Sequence, residues 1–98
     1  SPSYNLRCTV GNKQYYIAGN RVVCVDKTTN ETTVLTDFGT GISSYVDNFQ
    51  VFHDVILVRG VKEEYIPAYK EMAGKGYIYM IHLNDLSKVV LKKYNSGE

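Results

Sequence analysis

The chain has 98 residues, with 11 Lys and Arg against 10 Asp and Glu, which gives a formal net charge of +1. Hydrophobic residues make up 44% and charged residues 21%, the composition of one folded domain, so disorder is excluded as the main state. Without a basic excess we expect no nucleic acid as partner, and no apolar run approaches the roughly 18 residues that a membrane helix needs. The chain starts Ser1-Pro2-Ser3, with neither Met nor a signal peptide. We therefore expect a piece of a longer protein, in which residues 1–98 form one β domain or part of one.

Short apolar runs alternate with turn residues, a spacing typical of antiparallel hairpins. Gly19-Asn20 separates two runs by two residues and predicts a tight turn, and Asn30 suits a longer one because Asn tolerates left-handed backbone. The eight predicted strands are Tyr4–Val10, Gln14–Ala18, Arg21–Asp26, Thr32–Phe38, Tyr45–Phe52, Val55–Arg59, Tyr77–Leu83 and Lys88–Tyr94.

One segment, Lys62–Ala73, departs from the strand pattern because it contains good helix formers. Pro67 suits the first turn of a helix, and Gly74 suits the position just after its end. The segment therefore predicts a short helix over Pro67–Ala73, with a surface loop as the equal alternative.

The second half of the chain repeats the apolar pattern of the first. With an offset of 41 residues, Tyr4–Gly19 aligns with Tyr45–Gly60. Once residues 61–75 are skipped, Asn20–Phe38 aligns with Gly76–Tyr94. Apolar positions coincide more often than random placement predicts. The sequence therefore predicts two four-stranded repeats, residues 4–38 and 45–94, with an insertion at 61–75 in the second repeat.

In the first repeat, the apolar strand Val22–Asp26 ends in Asp and is followed by a Thr/Asn turn and the apolar strand Thr32–Leu35. Together with the similar stretch Tyr77–Asp85, this resembles the last two strands of a blade in the β-propeller family, although the Trp-Asp and Gly-His signatures of WD40 repeats and the glycine pairs of kelch repeats are missing. The resemblance implies an all-β fold of antiparallel blades stacked face to face. Two blades close no ring, so the chain would belong to a larger propeller or assemble with others. A β-sandwich or barrel within one chain is the alternative.

The two cysteines, Cys8 and Cys24, fall on the first and third predicted strands. One strand lies between them, which separates them by about 9.6 Å at ~4.8 Å per strand, beyond the ~7 Å limit for a disulfide. We expect free, buried thiols, which favours an intracellular over a secreted protein. The triplet Asn30-Glu31-Thr32 matches the acceptor pattern for N-glycosylation and favours a secreted protein instead.

The sequence contains no recognisable catalytic motif. His53-Asp54 falls at a turn, and neighbours along a strand point to opposite faces, so we expect solvated turn residues rather than a catalytic pair. Cys24, Asp26, His53 and His82 have no metal-ligand spacing. We therefore expect no catalytic residue, no metal, no cofactor and no enzymatic activity, and we keep a small enzyme without a known motif as the least favoured alternative.

The insertion is the strongest functional signal, because only one of the two repeats contains it. Insertions on a repeat scaffold map to loops and often bind partners, and Tyr and Met are enriched at protein interfaces. We expect a non-catalytic protein-interaction or scaffold module with a protein partner. The alternative is a homo-oligomeric ring of two-blade units that binds a small ligand, such as a carbohydrate, between blades. The predicted partner-binding residues are Glu63, Glu64, Tyr65, Tyr69, Lys70, Glu71 and Met72.

Overall fold

A computed structural model describes residues 7–95 of the chain. Residues 4–6 of the first predicted strand lie outside this range. The described residues contain eight strands and no helix. The strands are β1 (Arg7–Val10), β2 (Lys13–Ala18), β3 (Arg21–Asp26), β4 (Thr32–Asp37), β5 (Tyr45–Phe52), β6 (Val55–Ile66), β7 (Glu71–His82) and β8 (Lys88–Asn95).

The strands form two four-stranded sheets, ordered β1-β2-β3-β4 and β5-β6-β7-β8. Every strand pairs antiparallel with its neighbour in the chain. The predicted all-β fold with two four-stranded antiparallel units is thereby confirmed. Gly19-Asn20 forms the predicted two-residue turn between Ala18 and Arg21, and Asn30 is left-handed, with φ 61°. Among the described strands none passes from one sheet to the other, so these strands form no closed barrel.

The predicted helix over Pro67–Ala73 is wrong. Strand β6 continues to Ile66 and β7 begins at Glu71, so the insertion extends the β6–β7 hairpin. Pro67 lies in the turn, where the amide of Tyr69 donates to the carbonyl of Ile66 at 3.1 Å. Its fixed φ suits this position as well as it suits the start of a helix. A helix of two turns has little stability in water, whereas the extended strands continue a ladder that is already formed.

Corresponding backbone hydrogen bonds occur within each of the two sheets and show which residues are equivalent. In the first sheet the amide of Lys27 donates to the carbonyl of Asn12 at 2.7 Å. In the second sheet the amide of Leu83 donates to the backbone carbonyl of Asp54 at 2.7 Å. Asn12 therefore corresponds to Asp54, 42 positions later, and Lys27 to Leu83, 56 positions later. The same offsets match the left-handed residues Gly11 with His53 and Asn30 with Leu86, and the β-bulges at Val22/Val23 and Ile78/Tyr79.

These offsets correct the predicted alignment of Tyr4–Gly19 with Tyr45–Gly60. The predicted offset of 41 residues is one residue smaller than the offset of 42 that the structure gives. It placed Tyr15 on Ile56, and both residues are buried. They nevertheless lie on opposite faces of their sheets, because Tyr15 corresponds to Leu57. A slip of one residue moves a side chain to the other face of a sheet, and matching apolar with apolar does not detect it. The inserted segment is 61–74, one residue shorter than predicted.

The hydrophobic core lies between the two sheets. We call the face of the first sheet that carries Tyr15, Val22 and Cys24, and the equivalent face of the second sheet, the forward face. The opposite face of each sheet is the rear face. The forward face of the first sheet packs against the rear face of the second, so both sheets point in the same direction. The buried residues of this core are Tyr15, Val22, Cys24, Phe38, Phe49, Ile56, Val58, Tyr77, Tyr79 and Ile81.

Phe38 follows β4 directly and packs against the second sheet, at the end of the core from which the chain continues to β5. Its side chain is 1% exposed, and its ring centroid lies 5.7 Å from that of Tyr79. Gly60 of β6 leaves the space for it, because a Cβ at that position would come within 2.7 Å of the Phe38 ring. This close approach explains a glycine inside a long strand.

Candidate functional site

The candidate site is the extension of the β6–β7 hairpin, residues 61–74, which we call the arm. Its strands stay paired from Lys62 opposite Lys75 to Ile66 opposite Glu71. The turn at its end includes Lys70, which is left-handed with φ 51°. All seven predicted partner-binding residues lie on the arm, but they divide into an anchored base and an exposed tip.

Glu63 ties the base of the arm to the linker between the sheets. Its amide donates to the hydroxyl of Ser44 at 3.0 Å, and its carboxylate accepts from the amide of Ser43 at 3.3 Å. Ser44 is buried. Glu63 therefore has a structural role in this arrangement, because it fixes the arm relative to the segment that enters the second sheet.

Glu64 ties the base of the arm to the next two strands. Its carboxylate accepts a hydrogen bond from the hydroxyl of Tyr77 in β7 and forms an ion pair with the ammonium of Lys93 in β8, at 3.4 Å. The hydroxyl of Tyr77 and the charge of Lys93 lower the pKa of Glu64. Burial and the bond to Glu64 raise the pKa of Tyr77.

The pKa values in this cluster all move away from neutrality, since the pKa of Lys93 is also raised by its hydrogen bonds to Tyr77 and Glu64. A general acid or base works best with a pKa near the operating pH. The cluster of Glu64, Tyr77 and Lys93 is therefore suited to holding the arm in place and unsuited to proton transfer at neutral pH.

The tip of the arm exposes three large side chains with apolar surface. Tyr65 and Met72 lie directly opposite each other on neighbouring strands, and each is more than half exposed. Side chains in such a pair have Cβ atoms about 5 Å apart. Tyr69 lies in the turn and is 74% exposed. Lys70 and Glu71 are exposed beside them, so the tip is an apolar surface with charges at its edge.

Sequence reasoning missed the partners that hold the base. Ser44 lies 19 positions from Glu63, and Lys93 lies 29 positions from Glu64. No local pattern connects residues that far apart. Tyr77 begins the predicted strand Tyr77–Leu83; it is buried, and its hydroxyl donates a hydrogen bond to the Glu64 carboxylate.

The other residues considered from the sequence form no shared site in the structure. His53 and Asp54 are exposed in the turn between β5 and β6. Cys8 and Cys24 are free, as predicted, and lie on either side of Tyr15 on adjacent strands; Cys24 is buried as predicted, whereas Cys8 is only partly buried. Burial raises the pKa of the Cys24 thiol. Within residues 7–95, no group of three or more His, Cys, Asp and Glu side chains is placed to hold a metal ion.

Within the described range there is also no helix that is long and apolar enough to cross a membrane. Comparisons of the chain with protein-family models, with curated proteins and with solved structures gave no match.

Proposed function

We propose that this chain is a non-catalytic protein-interaction module whose partner contacts the tip of the arm. One observation carries the proposal: Tyr65, Tyr69 and Met72 are exposed together at the end of a hairpin extension that the equivalent first sheet lacks. Tyr and Met are enriched where proteins meet, because they combine apolar contact area with adaptable or polar ends.

The anchoring of the base supports the same function. Glu63 and Glu64 bond to the linker and to β7 and β8, so the paired strands of the arm leave the sheet in a fixed direction. A binding surface that is already ordered loses less conformational entropy when its partner arrives. The two glutamates thus contribute to binding by positioning the tip.

We further infer that the two sheets are propeller-type blades. Two sheets of equal construction, stacked with the forward face of one on the rear face of the next, support this interpretation. Repeat scaffolds of this type commonly bind through segments added to individual repeats. The arm is such a segment, so the scaffold interpretation and the binding interpretation agree.

The test is affinity capture from a lysate of the source organism, with bound proteins quantified by mass spectrometry. The variant combines Tyr65→Ser, Tyr69→Ser and Met72→Ser. A matched control combines Val10→Ser, Ile42→Ser and Leu86→Ser, which replace three other exposed apolar residues. We expect at least one protein to be captured by the wild type and the control and to be lost with the tip variant.

A photo-cross-linking amino acid in place of Tyr69 shows whether the contact is direct. We expect it to join the chain covalently to the same protein that the tip variant fails to capture. Equal capture by all three chains, together with no cross-link from position 69, would contradict the proposed binding surface.

A further inference from the structure

Within residues 7–95, no second layer covers the forward face of the second sheet in the way that the second sheet covers the forward face of the first. In the first sheet this face is packed in the core, with Val22 fully buried. At equivalent positions the second sheet also carries apolar residues, but there they face outward and Leu91 is 52% exposed. The pairs that correspond are Tyr15 with Leu57, Val22 with Ile78, Cys24 with Met80, Leu35 with Leu91, and Phe38 with Tyr94.

The rear face of the first sheet is the matching surface at the other end. It is equivalent to the rear face that the second sheet buries in the core. Val23 at its centre is buried, Tyr16 and Val25 beside it are half-buried, and Val34 is exposed. Arg7 covers part of Tyr16, with its guanidinium 5.8 Å from the ring centroid. The pairs that correspond are Gln14 with Ile56, Tyr16 with Val58, Val23 with Tyr79, Val25 with Ile81, and Val34 with Val90.

We propose that the forward face of the second sheet binds the rear face of the first sheet in a second copy of this chain. The contact would repeat between molecules the stacking that already exists within one molecule. Each chain carries one half of this contact at each end, so the chains associate head to tail. Such contacts form a ring when the rotation closes and a filament when it does not.

One feature of the existing contact, an aromatic ring that packs over a small residue, recurs in the proposed one. Phe38 packs over Gly60, and the residue equivalent to Gly60 in the first sheet is Ala18, which is also small. Tyr94, the equivalent of Phe38, would meet Ala18 on the next chain. Because Ala18 carries a Cβ, the ring of Tyr94 would pack higher over that strand than Phe38 packs over Gly60. In the present structure Tyr94 lies over Gly76 of its own sheet, where a Cβ would clash with its ring.

The charged residues on the forward face are placed at its edge or are already paired. Arg59 forms an ion pair with Asp47 at 2.7 Å. The ammonium of Lys92 lies 5.7 Å from the ring centroid of Tyr94. Protein interfaces commonly combine an apolar centre with a polar rim of this kind. The face differs from the tip of the arm, so this association does not depend on the proposed partner of the arm.

The test is solution mass by light scattering over a range of concentrations. Leu91→Lys blocks the forward face and Val34→Lys blocks the rear face; both residues are about half exposed, so neither replacement endangers the fold. Ile42→Lys, at a fully exposed linker residue, is the control. We expect the wild type and the control to exceed the 11.1 kDa of one chain, and each blocked variant to stay monomeric.

Mixing the two blocked variants identifies the direction of association. Each retains the face that the other lacks, so an equal mixture should form a dimer and grow no further. A symmetric contact between identical faces would let one of the two blocked variants associate by itself, which would overturn the proposal, as would a wild type that stays monomeric at every concentration. The tip variant of the arm should associate like the wild type, which separates this test from that of the proposed function.

Discussion

Two aromatic residues at equivalent positions, Phe38 and Tyr94, have different surroundings. Phe38 reaches from the first sheet to the second, where it contacts Tyr79 and fills the space above Gly60. Tyr94 has no following sheet to reach among the described residues and folds over Gly76. The same position in the repeat therefore contributes to the core in one sheet and to an outer surface in the other.

Replacing each aromatic by Ala should separate these roles. We expect Phe38→Ala to lower the free energy of unfolding by about 3–5 kcal/mol, because it removes a fully buried ring. Tyr94→Ala should cost no more than about 1 kcal/mol in the monomer, since its surroundings are partly solvent. Urea unfolding at low protein concentration measures both, and Phe38→Leu provides a milder variant if Phe38→Ala does not fold. Equal losses would contradict the difference in surroundings.

The anchor at Glu64 has a predictable pH dependence. Because its folded pKa lies below that of a free glutamate, about 4.3, ionised Glu64 stabilises the fold at neutral pH. This contribution is lost as the pH falls through the lowered folded value. Glu64→Gln should therefore melt a few degrees below the wild type at pH 7, and the difference should shrink below about pH 4.

The control for this prediction is Glu71→Gln, which changes an exposed carboxylate near the tip of the same arm. We expect its melting temperature to follow that of the wild type at every pH. Thermal melts between pH 3 and pH 8 make the comparison. A Glu64→Gln deficit that stays constant over this range would show that the ionised carboxylate is not what holds the arm.

At the scale of elements, alternation and turn residues predicted the strands well and the insertion badly. The runs near Gly19-Asn20 and Asn30 became hairpins, because those turn residues fix the local backbone without help from the rest of the fold. The segment around Pro67 carries signals for both a helix start and a β-turn. Whether this segment forms a helix or a β-turn depends on the hairpin of β6 and β7 that precedes and follows it. A local sequence pattern does not show that this hairpin continues into the segment.

The hairpin structure of the arm predicts specific contacts in solution. We expect nuclear Overhauser effects between the ring of Tyr65 and the methyl group of Met72, because these residues are directly opposite in the structure. In a helix starting at Pro67 they would be far apart. A series of sequential amide contacts over 67–73, without the Tyr65 to Met72 contact, would contradict the hairpin.

The candidate site was predictable only in part, for a related reason. Comparing the repeats located the added segment, because an insertion is visible without knowledge of its conformation. Tyr65, Tyr69 and Met72 are exposed at its tip, whereas Glu63 and Glu64 are half-buried anchors. The sequence does not distinguish these two groups, since the distinction depends on Ser44 and Lys93, which only the fold brings close.

At the scale of the whole molecule, the two sheets stack in the same direction, and this determines which sheet faces lie at the ends of the stack. The forward face of the first sheet covers the rear face of the second. Within residues 7–95, the remaining forward face and the remaining rear face therefore lie at the two ends of the stack. The arm extends from the second sheet alone. We therefore regard the two sheets as the folded scaffold and the arm as an addition to it, for which we propose a binding function.

Removing the arm tests this division most directly. Deleting residues 61–74, with Lys75→Asn, joins Gly60 to Tyr77 by a two-residue Asn-Gly turn, as short as the Gly19-Asn20 turn of the first sheet, and keeps Gly76 under the ring of Tyr94. Loss of the buried Val61 side chain and of the Glu63 and Glu64 hydrogen bonds should cost roughly 2–5 kcal/mol. We expect one cooperative urea transition and a far-ultraviolet circular dichroism spectrum that remains typical of β-sheet. A shortened chain without a cooperative transition would contradict the division, because the arm would then be part of what folds the sheets.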